Sequence, residues 1–187
     1  MSNYYCLIAG LPDIKLENAK PDVSIAQLKE ELDNILSDED KKLMFFFFLR
    51  IDCMNLAKLL KDPEAEIDER GNFTIEQYID LMTSAREMNF NVHRYPAFMS
   101  IFAREYQYKT GKEGYFPEDE ILREYYEYCI ENCPSKMIKK WFKLNYDITN
   151  ILTAFLARKY GWAVADYIQG ENEVTEMILN NNTKDFD

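Results

Sequence analysis

Acid–base catalysis is the chemistry for which this chain has residues in number: 33 Asp and Glu stand against 22 Lys and Arg and one histidine, His93. Asp147, beside an apolar helical stripe, is the carboxylate best placed for a raised pKa. No nucleophile, base and orienting group recur together, however, so the carboxylates read as those of an acidic helical protein and the chain as a non-enzyme. A lone His93 excludes metal sites that need two imidazoles, including paired Glu-x-x-His di-iron bundles. It reads as a surface or hinge residue ahead of Pro96. Asp68-Glu-Arg-Gly-Asn72-Phe-Thr-Ile75 imitates a calcium loop at its first, fifth and eighth positions. Arg70, Phe73 and Ile79 replace the third ligand, the turn glycine and the final glutamate, so the segment reads as a turn into a helix cap. Gly111-Lys112 lacks the upstream glycine of a phosphate loop, and no Gly-x-Gly-x-x-Gly occurs. No cofactor, metal or small-molecule substrate is expected. Cys129 and Cys133 are spaced for adjacent turns of one helix, and all four cysteines read as free thiols.

The polar groups that do carry a pattern are Asp147 and Asn150. They lie in 144–161, where Leu144, Ile148, Ile151, Leu152 and Phe155 recur at three- and four-residue steps and so form one helical stripe. Arg158 and Lys159 suit the negative end of the helix dipole, and Gly161 supplies a left-handed stop. A polar pair beside a packing face is expected to hydrogen-bond a neighbouring segment. The same spacing occurs 95 residues upstream at Asp52 and Asn55, with Phe46, Phe47, Leu49 and Leu56 set against Trp141, Phe142, Leu144 and Ile151. The match suggests an internal repeat over 24–61 and 117–161.

Asp147-x-x-Asn150-Ile151-x-Thr153, followed by Ala157-Arg158-Lys159-x-Gly161, resembles the repeated helix signature of the C subunit of the V-type and A-type ATPases. Members of that family are built from repeated helical units, each with an Asp-x-x-Asn-type helix. The N-terminal Asn3-Tyr-Tyr-Cys-Leu-Ile-Ala-Gly-Leu-Pro-Asp13 is similar to an uncharacterised bacterial branch encoded beside V-type ATPase genes. The first copy departs from the signature, with Lys58 and Leu59 at its later positions and no Arg-Lys-x-Gly after them. The resemblance implies a non-catalytic, C-subunit-like component that couples the central rotor shaft to the membrane rotor ring, in a machine for proton or sodium transport. Its implied partners are central-stalk subunits and the rotor ring, and its implied location is cytoplasmic, peripheral to the inner membrane. The alternative is a helical scaffold with an unrelated cytoplasmic partner.

The elements that position these residues follow from caps and periodicity. Residues 4–9 are a compact apolar run that reads as a short extended segment. Ser24 and Gln27 form a capping box ahead of Ile25, Leu28, Leu32, Ile35 and Leu36. Ser37 with Asp38-Glu39-Asp40 starts a helix whose run 43–49, apolar on every side, reads as the centre of the core before Asp62-Pro63 stops it. Thr74 and Gln77 open a helix to about 88 with Ile75, Tyr78, Ile79 and Met82 on one face. Pro96 opens another with Phe98, Ile101, Phe102 and Tyr106 inward, and Pro117 a third. Helical stretches at 162–168 and 171–179 follow, and residues 180–183 read as a frayed tail. The fold class is all-α, a bundle of about eight or nine helices in one compact domain over 1–187.

Composition limits the partners. A net charge of −11 disfavours nucleic acid and favours basic protein surfaces. No apolar run is long enough to cross a bilayer, and no secretory leader opens the sequence.

Overall fold

Caps at the predicted positions divide the chain into helices. The computed structural model describes residues 4–11, 24–87, 94–112 and 114–181. Among them the fold is all-α: α1 (Tyr5–Gly10), α2 (Ile25–Ile35), α3 (Asp38–Lys61), α4 (Ile75–Arg86), α5 (Ala97–Lys109), α6 (Pro117–Asn132), α7 (Lys136–Tyr160) and α8 (Glu173–Asn180), with a 3-10 turn at Val164–Asp166. No helix among the described residues is long and apolar enough to cross a membrane. Where the sequence suggests one compact domain over 1–187, the fold divides into two compact units, Met1–Tyr108 and Lys109–Asp187. His93, Pro12 and the 182–183 part of the polar tail lie outside the described residues.

In the first unit, residues 5–10 are helical rather than extended. No strand is present among the described residues to pair with this segment, and a helix satisfies its own backbone groups. Tyr4 ties this end to α3: its Oη donates to Asp40 Oδ2 (2.6 Å) and accepts from the Ser37 amide (3.0 Å). The Ser24 box opens α2, of which no residue is fully buried; Leu28, Leu32 and Leu36 are half-buried, while Ile25 and Ile35 are exposed. Lys29 holds α2 to the loop before α4 by donating to the Arg70 and Gly71 carbonyls.

Ser37 caps α3, and three acidic residues fill its first turn. Its apolar run is less central than its composition implies: within 43–49 only Phe46 and Leu49 are buried. The core lies one to three turns later, at Cys53, Leu56, Ala57 and Leu59. Each fully buried leucine there is worth roughly 1.5–3 kcal/mol relative to exposure. The Thr74–Gln77 capping box forms as read and starts α4. The buried face of α4 is Tyr78, Leu81 and Ala85, with Ile79 outward; on α5 it is Phe98, Met99, Phe102 and Ala103, with Ile101 outward.

In the second unit, Pro117 begins α6, and α7 packs on α6, on α8 and on the 3-10 turn. Aromatic rings fasten the α6–α7 hairpin: Tyr125 meets Phe142 edge-on at 5.9 Å, and Tyr126 stacks on Tyr146 at 4.9 Å. Gly161 ends α7 with φ +73°, as its spacing requires. The Trp162 amide donates to the Ala157 carbonyl (2.8 Å) and the Gly161 amide to that of Arg158 (3.2 Å), the paired closure of a Schellman end.

Candidate functional site

Positions i and i+3 lie on one side of a helix, so Asp52 and Asn55 face the loop between α3 and α4 together. Both are buried. Asp52 Oδ1 accepts from the Asn72 amide (2.7 Å), the Phe73 amide (3.1 Å) and Tyr78 Oη (2.7 Å), and its Oδ2 accepts from Asn72 Nδ2 (2.6 Å). Asn55 clamps one loop residue at both backbone groups: its Oδ1 accepts from the Asp68 amide (2.8 Å), and its Nδ2 donates to the Asp68 carbonyl (2.9 Å). Asn55 Nδ2 also donates to Tyr78 Oη (3.2 Å), whose proton is then free for Asp52. Gly71 makes the approach possible, since a Cβ there would collide with Asp52 Oδ1.

Burial pushes the Asp52 carboxyl above the ordinary value of 3.8, against the downward pull of its Tyr78, Asn72 and Phe73 donors. The folded protein therefore holds this proton at a pH where the unfolded chain has lost it. Stability from this group is greatest below 3.8 and falls as pH rises through the raised folded value. Urea unfolding of wild type and Asp52→Asn across that window is expected to show the wild-type advantage shrinking with pH, then levelling. An advantage that grows with pH would reverse the sign.

The second pair repeats the arrangement with a longer loop. Asn150 is buried; its Oδ1 accepts from the Gln169 amide (2.8 Å) and its Nδ2 donates to the Gln169 carbonyl (2.9 Å). The clamped residue lies 13 positions after the asparagine in the first unit and 19 in the second. Asp147 is only half-buried and accepts from Asn172 Nδ2 at 3.2 Å. Full burial thus falls on Asp52 rather than on Asp147. Asn172 also caps α8, its Oδ1 accepting from the Val174 and Thr175 amides. Arg158 Nη2 donates to the Ile178 carbonyl (2.9 Å) and the Asn181 carbonyl (2.5 Å), closing the far end of α8 as a cation at a helix C-terminus should. Gly170, at φ +75°, precedes Asn172 as Gly71 precedes Asn72, and a Cβ on it would stand 2.6 Å from Tyr146 Oη.

Asp52 and Asn55 thus act together on one loop and Asp147 and Asn150 on the stretch from Gln169 to Asn172, while Arg158 acts apart from them at the far end of α8 and Gly161 only ends α7. The partners Gly71, Asn72, Tyr78, Gln169 and Asn172 fall outside the set that the sequence motif marks. Their signal is a glycine one or two places before an asparagine at a capping box, the asparagine standing two places ahead of the cap in the first unit and being the cap itself in the second.

The stripe on α7 is corrected. Leu144, Ile148, Ile151, Leu152 and Phe155 are all exposed, and the buried face is Phe142, Tyr146, Asn150, Ala154 and Ala157. The rings and small side chains of that face let α6 and α8 come close, leaving the larger aliphatic residues outside.

Asp68 is bound by Arg70, whose guanidinium holds its carboxyl below the usual range, so the calcium-like stretch is a turn. Cys6, Cys53, Cys129 and Cys133 are free thiols, and burial pushes that of Cys129 up. No cluster of three His, Cys, Asp or Glu suited to a metal ion occurs among the described residues.

No curated protein and no solved structure matches the chain. A family model described as protein of unknown function (DUF2764) matches residues 1–187, and the chain therefore belongs to that family.

Proposed function

We propose that the protein is a non-catalytic, C-subunit-like component of a V-type ATPase, coupling the central rotor shaft to the membrane rotor ring during proton or sodium transport. The observation that carries this reading is the repeated clamp. In each of two units an Asp-x-x-Asn helix fixes the backbone of one loop residue through its asparagine and an incoming asparagine side chain through its aspartate. A part that transmits torque needs stiff bodies with broad faces, and side chains that hydrogen-bond the backbone of a loop stiffen a segment that would otherwise open locally. On this reading the chain is cytoplasmic and reaches the inner membrane through its partner proteins.

Pull-down against purified central-stalk subunits and rotor ring, at low and high salt, is the test, with ATP turnover measured alongside. Binding that weakens as salt rises, without hydrolysis by the chain alone, is expected, because exposed charges are screened beyond about 10 Å at 0.1 M salt. Hydrolysis by the isolated chain would sink the assignment. Binding to neither would favour a scaffold with an unrelated partner.

A further inference from the structure

Met137, Trp141, Leu144, Ile148, Ile151 and Phe155 follow one another at alternating steps of four and three, the a and d spacing of a heptad seam. Their exposures run from 41% at Ile151 to 78% at Met137. Of the matched positions of α3, the central four, Phe46, Leu49, Cys53 and Leu56, are buried, Leu60 is half-buried and Lys42 is exposed. A face that is covered in the first Asp-x-x-Asn helix is therefore open in the second. Continuous apolar faces of this kind mark interaction sites.

Charge selects the occupant. The chain carries −11, yet α7 holds six cations (Lys136, Lys139, Lys140, Lys143, Arg158 and Lys159) against one carboxylate, Asp147. Lys136, Lys140 and Lys143 are exposed beside the first half of the seam. A second copy of α7 would bring cations against cations. A planar anionic bilayer would face the field of the whole acidic chain, whereas a single helix meets only the seam and the lysines beside it. A seam of period 3.5 on a helix of 25 residues suits another helix lying alongside at about 20°.

We propose that the exposed face of α7 seats a single acidic amphipathic helix of a partner protein, packed through the a and d positions and steered by the lysines of the N-terminal half. The surface of an acidic protein that docks is then its most basic helix. The inference goes beyond the rotary reading and does not depend on which machine supplies the helix.

The test uses the full chain with Trp162→Phe, which leaves Trp141 as the one tryptophan of two. The probe is a synthetic helix of about four heptads with Leu and Ile at a and d and Glu at the flanking positions, whose like charges keep it from pairing with itself. A Lys-flanked peptide and phosphatidylserine vesicles are the competing arms. Saturable blue-shifting of Trp141 emission by the Glu peptide is expected, at least about tenfold tighter than by the Lys peptide. Leu144→Glu with Ile151→Glu should abolish it while helical circular dichroism is retained, since both sites are exposed. Lys140→Glu with Lys143→Glu should reverse the peptide preference without touching the seam. Equal binding of both peptides, binding of vesicles but not the Glu peptide, self-association through this face, or unchanged binding by the Leu144→Glu/Ile151→Glu variant would each overturn the proposal. Failure of the stalk pull-down with success here would discard the rotary reading and keep this one.

Discussion

Replacing Asp52 by alanine is expected to destabilise the first unit by about 3–5 kcal/mol, because it leaves several buried donors without an acceptor. The carboxylate receives the Asn72 amide, the Asn72 side chain, the Phe73 amide and Tyr78 Oη. Alanine also leaves a void under Gly71, where an added Cβ would collide with Asp52 Oδ1. Asp52→Asn keeps the shape but points an N–H₂ at groups that are themselves donors, so a smaller loss is expected from it. The urea midpoint reads the total effect, and hydrogen exchange at the Asn72 and Phe73 amides reads the local one. Both amides should exchange faster in Asp52→Ala than in wild type. A loss below about 1 kcal/mol with protection intact would mean that Asn55 and Lys29 hold the loop without Asp52.

Much of this fold was legible because helix ends are local events. Ser24, Ser37 and Thr74 each supply or accept at a cap, and Gly161 stops α7 in the left-handed region, all from chemistry within a few residues. Faces were less legible. Periodicity identifies an apolar stripe but says nothing of what covers it, so Leu144, Ile148, Ile151, Leu152 and Phe155 read as core although they are exposed. The side of α7 that is buried carries two rings, an asparagine and two alanines, a weaker hydropathy signal than the side left open. The same ambiguity rotated the reading of α4 and α5, where Ile79 and Ile101 face out and Leu81 and Met99 face in. Residues 4–9 are compatible with strand or helix by composition, and only the lack of a pairing strand among the described residues decides for α1.

The clamp partners were hidden for another reason. Asp52 and Asn55 are visible as a pair, but their partners lie 13 to 26 residues away, and the groups they hold include backbone amides that no sequence displays. Gly71-Asn72 was visible only as part of a failed calcium loop. Its role emerges once Asn172 is seen to reach Asp147 from the corresponding place behind Gly170.

Asn150→Leu is the matching experiment for the second unit, with an expected loss of about 1–3 kcal/mol. Leucine keeps the branching and the number of side-chain heavy atoms but is bulkier, so some overpacking adds to the loss of polar satisfaction. The Gln169 amide and carbonyl would both lose their partner at a site where Asn150 is 2% exposed. Asp147→Ala should cost less, under about 1 kcal/mol, because Asp147 is half-buried and accepts one side-chain hydrogen bond at 3.2 Å. The order of importance within the pair is thus reversed between units: the aspartate dominates where it is sealed, the asparagine where the aspartate is open to water. Hydrogen exchange at the Gln169 amide should accelerate in Asn150→Leu and stay near the wild-type rate in Asp147→Ala. An unchanged denaturation midpoint in Asn150→Leu, with Gln169 still protected, would show that the 3-10 turn and the Asn172 cap hold this loop without the clamp. The repeated clamp would then lose its second copy, and with it the observation on which the rotary reading rests.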